Sequence, residues 1–168
     1  NSIDTNNTMT FIGGGSNNYA GSSSIANVNY AVIVGGANNQ ARSNFCFVGG
    51  GQDNFANPSW SVCVGGQSCS AGAQHSFVGG GWNIVSPGSA GVCVGGSNNT
   101  ASGHYGFVGG GTGNNVKFLS SEGICSSIVG GATNDIRAHF AAIVGGTYNS
   151  ILSGSDNGFI GGGMSNQL

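Results

Sequence analysis

The sequence predicts an all-β chain, a parallel β-roll or β-solenoid of about ten 15-residue coils. Three features point there. Gly-Gly pairs recur at near-constant spacing along all 168 residues. Asn returns at one fixed distance after the pair. Each pair follows an apolar run of three or four residues rich in Val, Ile and Phe, which reads as a short buried strand.

The pairs begin at Gly14, Gly35, Gly50, Gly65, Gly80, Gly95, Gly110, Gly130, Gly145 and Gly162, counting from the second Gly of each triple-Gly copy. Successive spacings are 21, 15, 15, 15, 15, 15, 20, 15 and 17 residues. The unit is therefore 15 residues, with insertions of 6, 5 and 2. Helical hairpin repeats need roughly 30 residues or more, so this unit is too short for one. No 3.6-residue periodicity is present. Glycine supplies positive φ for the turns and lets neighbouring backbones approach. One strand and turn per unit make one coil, and coils stack about 4.8 Å apart.

With the pair at slots 1 and 2, the other columns follow. Slot 5 is Asn18, Asn39, Asn54, Asn99, Asn114, Asn134, Asn149 and Asn166, with Cys69 and Ile84 in the two remaining copies. Stacked amides in register predict a hydrogen-bonded ladder. Slot 7 holds Ala20, Ala41, Ala56, Ala71 and Ala101, with Ser86, Val116, Ile136 and Ile151 in other copies, small or aliphatic residues that point into a narrow interior.

The strand columns show size compensation. Phe47-Val48-Gly49, Phe77-Val78-Gly79 and Phe107-Val108-Gly109 alternate with Val32-Ile33-Val34, Val62-Cys63-Val64 and Val92-Cys93-Val94. Residues two apart share a face. Large-plus-none thus alternates with medium-plus-medium, as close packing between stacked layers requires. The middle residue is apolar too, so both faces of the strand seek burial. A narrow coil has one interior, and the second face is expected to pack on other copies of the chain. Residues 1–8 read as a polar lead-in, a partial coil, and residues 9–168 as the repeat domain.

Composition excludes several function classes. The chain has 35 Gly and only 3 Lys+Arg against 5 Asp+Glu. Three basic residues make no electrostatic footprint for nucleic acid. No apolar run nears the roughly 18 residues of a membrane span, so no membrane insertion by this segment is expected. The Phe-Val-Gly-Gly-Gly strings lack the helix and downstream acid of a dinucleotide loop. His75, His104 and His139 fall in different slots, so no metal column is built and no cofactor is expected. Asp4, Asp53, Asp135, Asp156 and Glu122 also scatter and read as solvated turn residues, not as a catalytic pair. No enzyme is expected. Cys46, Cys63, Cys69, Cys93 and Cys125 form no Cys-x-x-Cys motif. Cys63 and Cys93 share a slot two coils apart, about 10 Å by strand spacing and beyond disulfide reach. They read as free thiols acting as small hydrophobes, a usage that favours assembly in a reducing compartment, as for a virus or phage part.

Two features are candidate binding sites. Five residues before each pair stand Met9, Tyr30, Phe45, Trp60, His75, Ala90, Tyr105, Cys125, Phe140 and Asn157. The column reads as an aromatic ladder packing between coils or subunits. Its functional reading is a strip on which sugar rings stack, with Tyr30, Trp60 and Tyr105 as contacts. The insertions near residues 23–29 and 117–123 are the other candidate, because solenoid insertions project as loops. There Lys117, Phe118 and Glu122 are the residues of interest.

The stretch Val94-Gly95-Gly96-Ser97-Asn98-Asn99-Thr100-Ala101-Ser102-Gly103-His104-Tyr105-Gly106-Phe107-Val108-Gly109-Gly110 resembles the head repeats of trimeric autotransporter adhesins and related repeats of phage and viral fibres. Their sense is Ser-x-Val-x-Gly-Gly-x-x-Asn-x-Ala-x-Gly. The resemblance extends over about residues 9–168. It implies a left-handed parallel β-roll, a homotrimer, and a surface-exposed adhesive or spacer role. The expected function is a non-enzymatic fibre or adhesin head segment at a cell or virion surface, one piece of a longer fibre. It would hold a host-surface glycan or protein receptor, or serve as a rigid trimeric shaft. A purely structural filament or virion fibre component without ligand is the alternative. An ice-binding solenoid and a tailspike-like enzyme rank behind both.

Overall fold

The structure, a computed structural model, describes residues 1–22, 27–117 and 125–168. They form an all-β, parallel β-solenoid of about ten turns, with no helix among the described residues. Each coil contributes two short strands where the sequence reading expected one. The first sheet stacks Ser2–Ile3, Tyr19–Ala20, Gln40–Ala41 and so on to Ser150–Ile151. The second stacks Phe11–Ile12, Val32–Ile33, Phe47–Val48 and so on to Phe159–Ile160. A third column of single bridges links slot 3 from Ser16 to Met164. The first sheet gives no apolar run, because a strand such as Ser70–Ala71 has one inward residue and one outward. Ser2–Ile3 pairs with Tyr19–Ala20, so the lead-in supplies a rung of this sheet.

Register is slot for slot. Phe47 pairs with Val62, and Ala56 with Ala71. The insertions do not disturb it: Val108 pairs with Ile128 across the 20-residue unit, and Ile143 with Ile160 across the 17-residue unit.

The interior is built from slot 7 and from the middle residue of the second-sheet strand. Ala41, Ala56, Ala71 and Ala101 are fully buried, and so are Ile33, Val48, Cys63, Val78, Cys93 and Val108. The residues flanking that middle position therefore point outward. On this outer face the Phe rings lie over the glycine of their own coil. A Cβ placed on Gly49 would stand 3.3 Å from a ring carbon of Phe47, and one on Gly109 3.3 Å from Phe107. The same Cβ would first run into the carbonyl oxygen of the next coil's Val64 or Val129, so the size compensation acts on the outer surface, within the coil and against the next one, not in the core.

Three corners per coil use left-handed backbone. The second Gly of every pair has φ between 84° (Gly15) and 105° (Gly81). A Cβ on Gly111 would run into the carbonyl oxygen of Gly131 in the next coil. Slots 4 and 11 are left-handed as well, mostly without glycine: Asn98 has φ 55° and Trp60 φ 60°. At these corners the amide turns back toward the previous coil. Asp53 N–H donates to Ala37 O at 3.0 Å, and Trp60 N–H to Asn44 O at 3.1 Å. Strand amides donate forward, as Val62 N–H does to Ser76 O at 2.9 Å. The backward hydrogen bond offsets the roughly 1–2 kcal/mol that an L residue loses in this region. In the doublet Asn98-Asn99, the first residue takes the corner and the second enters the interior.

The buried Asn satisfies three partners. Asn114 Nδ2 donates to Gly110 O in its own coil at 2.8 Å and to Gly131 O in the next at 2.9 Å. Its Oδ1 accepts the Asn134 amide at 3.0 Å. Asn18, Asn39, Asn134 and Asn149 repeat this set, and Asn54 gives its Oδ1 to the Cys69 amide. Asn99 bonds Gly95, Gly111 and the Asn114 amide, and Asn166 stands on Asn149. At Cys69 the thiol reaches Gly81 O at 3.5 Å in place of the amide, and at Ile84 an alkyl side chain fills the slot.

Gly111→Ala is expected to cost on the order of 3 kcal/mol or more, because the added carbon meets backbone in a left-handed corner. Its neighbour Gly110 has open space at the Cβ position, so Gly110→Ala is expected to stay within about 0.5 kcal/mol. Chemical denaturation of the two variants checks this difference.

Candidate functional site on the outer faces

The slot-11 column forms a stack of rings outside the solenoid. Tyr30 and Phe45 have centroids 4.8 Å apart at 6°, Phe45 and Trp60 5.6 Å at 4°, and Trp60 and His75 5.4 Å at 16°. These separations lie within the stacking range and match one coil step. The left-handed corner aims every ring outward from the same position, which is why they superpose. Both faces of Trp60 are covered by neighbouring rings, and one face of Tyr30 is covered by Phe45. A sugar approaching Trp60 meets its ring edge. The stack stops at His75 because the next coil carries Ala90. Tyr105 resumes the column one coil further and is 64% exposed, against 48% for Trp60.

The outer face of the first sheet carries most of the charge. Asp4, Arg42, Lys117 and Arg137 share slot 8, and Asp135 stands at slot 6 of its coil. The expectation that charge sits mainly in turns and insertions is corrected here. Slot 8 follows the inward residue of slot 7, so strand alternation turns it to the outside. Lys117 Nζ lies 2.9 Å and Arg137 Nε 2.7 Å from the Asp135 carboxylate. Both cations are substantially exposed, so these pairs contribute little, about 0–1 kcal/mol each. The Arg42 guanidinium sits 5.8 Å from the Tyr19 ring and 5.6 Å from the Phe55 ring, its neighbours below and above. Tyr19 Oη donates to Asp4 Oδ2 at 2.9 Å. Burial first, and the Asp4 hydrogen bond second, hold its phenol above the ordinary value. Neither the Arg42 sandwich nor the Asp4 contact was foreseen, although slot alignment alone brings these residues together. Phe118 and Glu122, the other insertion candidates, lie outside the described residues.

The remaining carboxylates are engaged locally. Asp53 accepts from Gln52 Nε2, and Asp156 accepts the His139 amide. No three His, Cys, Asp or Glu side chains converge on a metal position among the described residues. No helix among them is long and apolar enough to cross a membrane.

No protein-family model matches the chain, and no curated protein matches it.

All five thiols are free; Cys46, Cys63, Cys69 and Cys93 are buried and Cys125 is exposed. Cys125 occupies an outward corner of slot 11, which explains why it does not act as a core hydrophobe. Burial pushes the Cys46 thiol up, a shift partly opposed by its Ser61 contact. The neighbouring Cys69 thiol first, and burial second, raise Cys63, whose Sγ donates to Gly65 O at 3.7 Å and to Cys69 O at 3.9 Å. The same contact draws Cys69 down. The sequence reading had not paired these two, which face each other six residues apart within one coil. Burial, with a smaller contribution from Cys69, pushes Cys93 up from 9.0 to about 12.

Two predictions follow the geometry. The folded chain keeps the Cys93 proton that the unfolded chain releases near pH 9, so this contribution is whole below pH 9. It is lost as pH rises toward 12, at about 1.4 kcal/mol per pH unit. Cys93→Val is expected to remove that slope, and unfolding free energies in mild alkali measure it. Trp60→Ala is expected to cost about 1–3 kcal/mol through two lost stacking partners, and Tyr105→Ala about 0.5 kcal/mol or less. Thermal melts of both variants separate stacked rungs from the isolated one.

Proposed function

We propose that this chain is a segment of a non-enzymatic surface fibre that assembles with its own copies and serves attachment. The observation that carries this reading is the outer face of the second sheet. Phe47, Phe77 and Phe107 lie there half-buried, and Val34, Val64, Val94, Val129 and Val144 are exposed. No charged residue occurs in either outward column. An apolar strip running the length of a rod marks an interaction surface.

The occupant is a further copy of the chain. From Phe11 to Gly109, coils with a ring beside glycine alternate with coils bearing a Val pair, so this part of the face is corrugated with a two-coil period; Ser127-Ile128-Val129 and Ala142-Ile143-Val144 end the alternation. Every copy presents the same ridges and hollows, and aligned rods mesh in register. A left-handed homotrimer is the closed form that the resemblance to trimeric autotransporter adhesin heads and viral fibre repeats suggests. Assembly leaves the first-sheet face and the ring column facing water. Repeated weak contacts there, multiplied by the copies in the assembly, provide avidity for a host-surface glycan or protein. Such a fibre belongs at a cell or virion surface, and its buried free thiols suit assembly in a reducing compartment. A rigid shaft without ligand is the second reading, favoured by the unbroken register through all three insertions.

The double variant Val64→Lys, Val94→Lys places charge on the apolar strip without touching the interior. It is expected to weaken self-association by about 100-fold or more, roughly 3 kcal/mol. Thr100→Lys, on the first-sheet face, is expected to leave it unchanged. Sedimentation equilibrium reads the result, with circular dichroism reporting the fold. A monomeric wild type, or a fully assembled double variant, overturns the proposal.

A further inference from the structure

The ring column contains one vacant rung. Tyr30, Phe45, Trp60 and His75 stack without interruption, and Tyr105 follows two coils after His75. Between them stands Ala90. Its backbone keeps the left-handed corner, with φ 52° against 60° at His75 and 55° at Tyr105. Its amide makes the same backward hydrogen bond, to Gln74 O at 2.9 Å, as the Tyr105 amide makes to Ser89 O at 3.0 Å. The coil is therefore regular, and what differs is the absence of a ring. His75 and Tyr105 sit two coil steps apart, roughly 10 Å, with the Ala90 methyl between them as a floor. The height suits one ring-shaped group inserted midway, about 5 Å from each neighbour, the separation that the stack itself uses.

We infer that this slot binds the apolar face of a neutral pyranose, sandwiched between His75 and Tyr105. The inference rests on the attachment reading and names its ligand class. Ring faces are electron-rich and attract the weakly positive C–H groups of a sugar face. A pyranose carries such hydrogens on both faces and hydroxyls around its edge. The slot complements that pattern, with the stacked His75 ring on one side, the exposed Tyr105 on the other, and Gln74 and the Tyr105 hydroxyl as polar groups nearby. Charge selects a neutral sugar. None of Gln74, His75, Ser89, Ala90 or Tyr105 carries a permanent charge, and Arg42, Lys117 and Arg137 stand at slot 8 beside the first sheet. An anionic sugar has no cation to meet here.

Titration of the chain with the methyl glycosides of galactose, glucose and mannose, followed by NMR of the His75 and Tyr105 rings, tests this. At least one is expected to shift both rings saturably at about millimolar concentration. Ala90→Phe fills the vacant rung with a residue type that Phe45 shows the corner accepts. It is expected to weaken that sugar by at least about tenfold while keeping or raising the melting temperature. Free indole is the comparison probe. Shifts with indole and none with any glycoside make the slot a site for aromatic side chains and overturn the sugar assignment. Silence toward all probes overturns the slot. Adhesion of the assembled chain to glycan-coated surfaces separates the two readings. Equal adhesion by wild type and Ala90→Phe overturns the slot and leaves attachment standing. Adhesion by neither overturns both the slot and glycan attachment.

Discussion

Main-chain hydrogen bonds of about 2.9 Å between successive coils set the spacing to which every other part of this solenoid conforms. A step of roughly 4.8 Å leaves no room for a Cβ where one coil's corner faces the next coil's carbonyl. That is why the second residue of the pair is glycine in the nine coils from Gly15 to Gly146. The same step matches the reach of an Asn side chain, which bonds its own coil with one hydrogen and the next with the other. It also falls within the centroid separation of offset-stacked rings, so Tyr30, Phe45 and Trp60 stack at the spacing of their coils.

The two kinds of ladder overlap along the rod. Tyr30, Phe45 and Trp60 stack outside the coils of Asn18, Asn39 and Asn54, so there both ladders tie the same coils. The Asn column is interrupted at Cys69 and Ile84, in neighbouring coils. His75 continues the ring stack at the first of these positions. Ala90 falls in the coil of Ile84, which has neither the buried Asn nor a ring at slot 11.

The Gly pairs, the 15-residue period and the Asn column were sufficient to read the class, the coil count and the register, because each is a strict steric or hydrogen-bonding demand repeated ten times. The second strand was not legible. Gln40-Ala41 and Ser70-Ala71 bury one small residue each, and so short a pattern does not stand out from a turn. The non-glycine corners were hidden for a different reason. Tyr, Trp, Ser and Asn all occupy them, because the backward amide hydrogen bond, not the side chain, stabilises the conformation. The aromatic column was visible at once, but not that the rings cover one another's faces.

The sequence by itself determined the solenoid, its pitch and the identity of each column, since these follow from what a 15-residue coil with a 4.8 Å step can sterically contain. Only the tertiary structure decided which side of each column faces outward. Strand alternation is symmetric: Val-Cys-Val is as consistent with the middle residue outside as inside. Placing slot 7 and the strand centre in one narrow interior broke that symmetry. It sent Cys63 and Cys93 inward, left Phe and Val on an apolar outer strip, and gathered Arg42, Lys117 and Arg137 beside the other sheet.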